Sequence, residues 1–389
     1  MVRRAAPPPL TRAVPAALAA LARLPGRFTS RLHDERVAAW LGMALGVSFL
    51  SAFATGLLSH FMQHPPGWAQ WPSRPVNLYR VTQGVHVIGG LATVPLLLAK
   101  LWTVYPKLWQ WPPLRSARHA ARRVLVLVLV GGALFQFVTG VLNIAYWYAF
   151  RFPFTTAHYW TAYITVGALL IHAAYQWPKV RRTVMTRPQD AVGRRAFLLT
   201  VAGASGVIAA VTAGEAFSPL ARLAVLAPRR PGLGPQGLPV NKSAAAAGVT
   251  ATARDPRWRL TVTGRVRDDL VLTLDGLRAL PQHTARLPIA CVEGWSADAD
   301  WRGVRLRDLL ALAGAADDDA AVRVESLQRG GIYRTSRVDP PHLRDPLTLL
   351  ALDLAGEPLD LDHGYPCRLI APNRPGVMQT KWVHRLVVL

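Results

Sequence analysis

Acidic residues are almost missing from the first 240 positions of this 389-residue chain. Only 4 Asp+Glu stand there against 25 Lys+Arg, whereas residues 241–389 carry 18 against 20. The net charge of +23 therefore belongs to one part of the chain, and a chain-wide nucleic-acid-binding face is excluded. Cysteine is scarcer still: Cys291 and Cys367 are the only two. That is too few for a disulfide framework and too few for a metal site built from cysteine alone. Charged residues make up 17% of the chain, hydrophobic ones 51%, with 13 Trp. A balance so apolar points to membrane spans, and the length suggests two or three domains.

Five apolar stretches precede residue 217, near 37–60, 79–102, 124–146, 157–177 and 196–216. Each is about 20 residues, enough for roughly 30 Å of hydrocarbon. Basic residues cluster in alternate connections. Arg3, Arg4, Arg12, Arg23, Arg27, Arg31 and Arg36 fill the N-terminal arm. Lys107, Arg115, Arg118, Arg122 and Arg123 follow the second stretch, and Lys179, Arg181, Arg182, Arg187, Arg194 and Arg195 follow the fourth. The other two loops are rich in Trp, Tyr and Pro instead. The positive-inside rule then predicts a cytoplasmic N-terminus and places everything after Gly214 on the outer side.

Histidines carry the chemistry of this half. His60 closes the first stretch, His86 lies in the second, and His158 and His172 lie fourteen residues apart in the fourth. Fourteen residues is nearly four helical turns, so both project from one face, about 21 Å apart. Neutral imidazole is the usual axial ligand of b-type haem, although an intramembrane His also serves as a proton relay or an interfacial anchor. Small residues beside them, Gly56, Gly84, Gly89, Gly90, Gly140 and Gly167, would let a flat macrocycle approach the backbone. The region over residues 36–178 resembles the di-haem cytochrome b four-helix membrane domains. By depth, one outer haem is expected between His158 and either His86 or His60. A second would sit on His172, for which no partner is evident.

Beyond the fifth stretch the pattern changes. Residues 217–240, "FSPLARLAVLAPRRPGLGPQGLPV", read as a Pro/Gly-rich linker without a core. "RWRLTVTGRV" and "LVLTL" alternate as strands, and "TLDGLRAL" reads as a short helix with Asp275 as its cap. "WRGVRLRDLLALAGA" has helical spacing and ends on Gly314. "VRVESLQRGGIYRTSRV", "YPCRLIAP" and "KWVHRLVVL" return to strands. The expected class of residues 241–389 is α+β or mainly β.

Within this part stands "LPIACVEGWSADADWRGVRLRDLL", Leu287–Leu310. It places a Cys at a strand end, then Val-Glu-Gly-Trp-Ser and Trp-x-Gly-x-x-Leu-x-x-Leu-Leu. With the ending "GEPLDLDHGYPCRLIAPNRPGVMQTKWV", it resembles the molybdopterin-binding domain of the sulfite oxidase family, which includes exported methionine sulfoxide reductases. The resemblance covers roughly residues 255–389. It implies that Cys291 is the protein thiolate on molybdenum, a pairing that suits a soft ligand beside dithiolene sulfurs. It also casts Glu293 as a proton-handling carboxylate, and His363, Arg368, Asn373, Arg374 and Lys381 as donors to the pterin and its phosphate. The segment around Asn241 and Lys242 is the one candidate replacement for the reductases' aromatic cofactor loop. Cys367 reads as a buried structural thiol.

"GRRAFLLTVAGASGVIAAVTAG", Gly193–Gly214, reads as a twin-arginine export signal placed in mid-chain. A domain that acquires its cofactor in the cytoplasm must cross the membrane folded, and that route carries folded cargo. An ordinary anchor with positive-inside arginines accounts for the charges equally well.

The sequence thus predicts a five-span helical bundle followed by an α+β or mainly β molybdopterin domain. The divisions are a cytoplasmic arm (1–36), a cytochrome b-like domain (37–178), the signal and fifth span (179–216), the linker (217–240) and the oxidoreductase domain (241–389). The expected function is a multi-pass oxidoreductase of the cytoplasmic membrane. It would exchange electrons between a small sulfite-, sulfoxide- or N-oxide-type substrate and the quinone pool through haem b. Its partners would be the bilayer, a quinone or quinol and the twin-arginine machinery, with no nucleic acid. A different class also accommodates the residues: a membrane-anchored binding module with a Cys291–Cys367 disulfide and no metal.

Overall fold

The computed structural model describes residues 29–109, 115–185, 192–225, 227, 229–315 and 320–389. Arg3, Arg4, Arg12, Arg23 and Arg27 of the arm lie outside the described residues. So do Arg187, linker positions 226 and 228, and positions 316–319.

Five long helices form where apolar runs were expected: α1 (Glu35–Gln63), α2 (Leu78–Val104), α3 (Ala117–Ile144), α4 (Phe154–Met185) and α5 (Val192–Ala213). Asp34 starts α1, its Oδ1 accepting from the backbone N–H groups of Arg36 at 2.7 Å and Val37 at 3.2 Å. Ser116 starts α3 by accepting from His119 N, so this helix begins well before the apolar run near 124–146. Among the described residues four helices are long and apolar enough to cross a membrane: α1, α2, α3 and α5. The expected fifth, α4, is 32 residues long but falls outside that set. Its threonines, tyrosines, histidines and Gln176 dilute the apolar content.

The chain divides into two compact units. One comprises the helical residues up to Phe53 together with Gly89–Ala209. Here α3 runs along α4, and their backbones approach closely at Gly132, where a Cβ would come 2.3 Å from Thr165 Oγ1. Leu45, Leu97 and Ala133 join α1, α2 and α3 in one apolar cluster, and Val37, Leu41, Ala99 and Val201 join α1, α2 and α5 in another. Large apolar side chains such as Val47, Leu127, Ile164, Ile171 and Val207 point outward, as suits helices solvated by hydrocarbon.

The other unit comprises Ala54–Ile88 and Ala210–Leu389. Its described residues form ten strands in two sheets. In the first sheet, β1 (Leu260–Gly264), β2 (Leu270–Leu272), β5 (Val322–Ser326), β6 (Thr335–Val338) and β10 (Val383–Val388) take the order β2-β1-β10-β5-β6. Only the β1–β10 pair is parallel. In the second, β3 (His283–Ala290), β4 (Ser296–Arg305), β7 (Leu349–Leu354) and β8 (Glu357–Pro358) take the order β3-β4-β7-β8, with β9 (Arg368–Ile370) on β7. Alternating burial along the first sheet's central strands feeds one core that holds Leu260, Val322, Val324, Leu386 and Cys367. A second core centres on Trp301 and holds Leu287, Leu349, Ile370 and Cys291.

Three local expectations are corrected. The short helix Leu274–Ala279 is capped by Thr273, whose hydroxyl accepts from Gly276 N, and Asp275 sits in its first turn. The first part of "WRGVRLRDLLALAGA" is strand β4 through Arg305, and the helix is only Leu306–Leu312. Pairing against β3 and β7 overrides the helical spacing there. The linker is also built onto the domain. Leu238 is buried in the second core, and Gln236 Nε2 donates to the carbonyls of Leu354 and Pro358.

Candidate functional site: a buried thiol ringed by cations

Cys291 follows the last residue of β3 and opens a tight turn into β4. Its N–H donates to Trp295 O at 2.9 Å, and Gly294 N–H returns to Cys291 O at 3.1 Å. Gly294 has φ +100°, and a Cβ on it would meet Val87 Cγ1 at 2.8 Å. Conformation and close approach both demand glycine there. The thiol is 3% exposed. Burial, reinforced by the Glu293 carboxylate, pushes it up to about 12.

Asn241 bridges the turn. Trp295 Nε1–H can only donate, and it donates to Asn241 Oδ1 at 3.0 Å. The amide is thereby oriented so that Nδ2 donates to Cys291 Sγ at 2.6 Å. Glu293 is also buried. Its carboxyl is pushed up to about 7 by burial, with the Arg229 guanidinium, 3.8 Å away, opposing.

Three cations lie buried in the same half of the domain, each held by carbonyls. Arg368 Nη1 donates to His363 O at 3.0 Å and its guanidinium sits over the Trp301 ring, while its Nε finds no partner among the described residues. Lys381 Nζ donates to the carbonyls of Lys242 and Asp362. Arg374 donates to the carbonyls of Met378 and Arg337. Burial lowers them to about 9, about 7 and about 10 respectively. The Cys291 charge acts on Arg368 and Lys381 but is absent from the forces on Arg374. His363 is lowered to about 4, first by burial and then by Arg368. Its Nε2 donates to Pro235 O at 2.7 Å, so the ring is neutral near pH 7.

Arg368 and Lys381 thus lie within electrostatic reach of Cys291, Glu293 is two residues from it, and His363 holds Arg368 through its carbonyl. The Arg374 guanidinium and Asn373 are engaged by backbone groups. Asn373, at φ +47°, grips the segment before α2. Its Nδ2 donates to Pro72 O at 2.7 Å, its Oδ1 accepts from Tyr79 N at 2.9 Å, and its N–H donates to Val76 O at 3.0 Å. That segment walls the site. Gln83 Nε2 donates to Val292 O at 2.9 Å, Arg80 pairs with Asp298, and the buried Tyr79 ring lies close enough to feel the Cys291 charge. Tyr79, Gln83, Arg229 and Tyr333 were not expected. No local pattern marks them, because each reaches the thiol only through the tertiary fold.

The expected alternative disulfide is corrected. Cys291 and Cys367 are both free and buried, each in a different core. Burial alone raises the Cys367 thiol, as a structural thiol should show. Among the described residues no group of three or more His, Cys, Asp or Glu side chains could hold a metal ion. A buried soft thiol, which a bound metal would deprotonate, and nearby cations whose hydrogen bonds go to carbonyls suit an anionic sulfur- and phosphate-bearing cofactor.

Of the histidines in the long helices, His60 and His86 fall in the second unit, and His158 and His172 in the first. His60 stacks on His64 with ring centroids 4.7 Å apart. The His86 ring lies against Gly56, where a Cβ would come 2.6 Å from it. Thr139 Oγ1–H donates to Phe135 O at 2.7 Å and so can only accept from His158 Nδ1, 2.9 Å away. This contact orients the His158 ring within the helical unit. His172 lies within reach of the Lys100 charge.

Comparison with known proteins defines the class. Residues 247–389 match the family model of the oxidoreductase molybdopterin binding domain. YedZ1 of Azospira oryzae, provisionally designated a protein-methionine-sulfoxide reductase subunit, is 36% identical over 131 residues, covering 34% of this chain and 48% of that protein. The catalytic subunit MsrP of the protein-methionine-sulfoxide reductase of Gluconobacter oxydans is 32% identical over 146 residues, covering 34% and 47%. The mitochondrial sulfite oxidase of Drosophila melanogaster is 31% identical over 163 residues, covering 34% and 27%. The chain thus spans about half the length of the two reductase proteins and about a quarter of the sulfite oxidase. The C-terminal domain is a molybdopterin-binding oxidoreductase domain. More particularly, it is similar to the sulfite oxidases and protein-methionine-sulfoxide reductases.

Proposed function

We propose that this protein is a membrane-bound molybdenum oxidoreductase whose active centre is the Cys291 turn. The observation that carries the reading is a buried thiol beside Arg368 and Lys381, cations that hold only carbonyls. In this reading Cys291 Sγ ligates molybdenum, and Asn241 Nδ2 steadies the sulfur. Arg368 and Lys381 hold the pterin and its phosphate, with His363 fixing Arg368 from behind. Asn373 and Arg374 position the surrounding loops. When bound, the molybdopterin supplies oxygen-atom or two-electron chemistry. Glu293, buried and with its carboxyl near neutral range, holds or releases the accompanying proton. The names of the similar proteins favour a sulfite or sulfoxide substrate over an N-oxide.

The helical part would link this centre to the quinone pool through haem b. Its candidate haem ligands are His60, His86, His158 and His172. Crossing by α4 is supported by its outward aromatic and aliphatic side chains, Trp160, Tyr163, Ile164, Leu170, Ile171 and Trp177. With α4 across, the basic loops lie in the cytoplasm and the oxidoreductase domain outside. Export by the twin-arginine route through Arg194 and Arg195 completes the reading.

Metal analysis together with a reduced-minus-oxidised visible spectrum tests the two cofactors. Molybdenum with a low-spin b-type spectrum is expected, the spectrum being lost in His158→Ala. Molybdenum without that spectrum would leave a haem-free anchor. For export, Arg194 and Arg195 both changed to Lys should leave residues 217–389 inaccessible to protease from the outer face, although charge is kept. Unchanged accessibility would make α5 a plain anchor.

A further inference from the structure

A cavity of about 530 Å³ in the helical unit belongs to no part of this chemistry. Arg36 and Trp40 of α1, Val184 at the end of α4, and Arg194, Arg195 and Leu198 of α5 line it. The described lining thus holds three guanidiniums and no carboxylate. Asp34, beside it, takes Arg194 Nη1 on Oδ2 at 3.3 Å, while its Oδ1 is engaged in starting α1. The neighbouring acid, Glu35, is held by Lys107 and Lys179. Arg194 Nη2 is buried and finds no partner among the described residues. The cavity is therefore positive, with a guanidinium edge waiting for an acceptor.

Its other wall is apolar, and its lip is too. Trp40 is 48% exposed and Leu199, also in the lining, 61%. These residues stand in the first two turns of two helices apolar enough to cross a membrane, which is the level of lipid headgroups. A free phosphate would fill a small fraction of this volume and leave the apolar wall in water. A phosphodiester carrying acyl chains satisfies both walls at once.

We propose that this cavity binds one anionic phospholipid. Its phosphate is held by Arg36, Arg194 and Arg195, and its acyl chains lie along Trp40, Leu198 and Leu199. The site is independent of the molybdenum centre and asks only that α1, α4 and α5 fold together; it shares Arg194 and Arg195 with the proposed export motif, so binding is read on purified protein.

The test uses the full-length protein, purified in detergent and stripped of lipid, and titrated in native mass spectrometry. The probes are phosphatidylglycerol, phosphatidylcholine of the same chain length, and inorganic phosphate. One phosphatidylglycerol per chain should bind, at least about tenfold tighter than phosphatidylcholine. Millimolar phosphate should not displace it. The double variant Arg36→Gln/Arg195→Gln should lose about thirtyfold in affinity, at roughly fivefold for each cation removed. Ala202→Trp, which fills the cavity from its apolar side, should abolish the adduct while keeping every arginine. Arg181→Gln/Arg182→Gln, outside the cavity, should bind as the parent does. Equal binding of the two lipids, displacement by phosphate, or equal losses in the two double variants overturns the proposal. So does an adduct that survives Ala202→Trp.

Discussion

Gly294→Ala is the sharpest probe of how the Cys291 turn is built. Two costs are predicted. The backbone there has φ +100°, which a residue with a Cβ adopts at roughly 1–3 kcal/mol. The new methyl would also stand 2.8 Å from Val87 Cγ1 and 3.3 Å from its Cβ and Cγ2. Overpacking of that kind costs about 1–3 kcal/mol. Together they predict a loss of roughly 2–6 kcal/mol, or a fall of about 5–20 °C in the melting temperature of a domain this size. The two parts separate in a double-mutant cycle with Val87→Ala. Removing the Val87 methyls opens space for the new Cβ but leaves the dihedral strain. The double variant should therefore be more stable than the sum of the singles by about 1–3 kcal/mol. Thermal unfolding of all four proteins in one detergent measures this. Strict additivity would refute the close approach of Val87 to the turn, and with it the claim that residues before and within α2 wall the site.

Further outcomes follow from the same geometry. His342 is 4% exposed and lowered to about 4, first by burial and then by Arg374, with its Nε2 unpartnered among the described residues. Because the unfolded chain takes up this proton near 6.5, stability is fully present above that pH and is lost as pH falls toward 4. The loss is at most about 3 kcal/mol, and His342→Leu should flatten that part of a pH–denaturation profile. Asn373→Ala should free Pro72 O and Tyr79 N and destabilise by roughly 2–4 kcal/mol, with residues 64–77 becoming quickly cut in limited proteolysis. An unchanged digestion pattern would contradict the grip described for Asn373.

The helices were legible because apolar runs of about 20 residues have few other uses, and their structured ends lie within about a turn of the expected ones on most sides. The start of α3 was not, since Ser116 caps a basic turn that carries no apolar signal. The membrane status of α4 divides the two readings for a physical reason. Charge alternation marks it as a crossing, while its Thr, Tyr and His content keeps it outside the apolar set. In the second unit a family motif surrounds Cys291, and the structure buries the thiol at the end of β3. The roles of the terminal polar residues were not legible. Arg368 and Asn373 stand close together in the chain, yet one lies beside the thiol and the other holds Pro72, Val76 and Tyr79, far earlier in the sequence. Only tertiary contacts distinguish them. Asn241 stood between: its neighbourhood was singled out, but the bond to Sγ depends on Trp295 orienting the amide. The Thr273 cap shows a smaller lesson, that two neighbouring candidates, Thr273 and Asp275, are separated only by where the helix begins.

The central claim is that Cys291 is the protein's ligand to molybdenum while Cys367 is a core residue. Molybdenum content per chain, measured by elemental analysis on the full-length protein and on Cys291→Ser and Cys367→Ser, tests it directly. The account predicts about one molybdenum in the parent and in Cys367→Ser, and its loss in Cys291→Ser. A Cys291→Ser protein that keeps full molybdenum would contradict it.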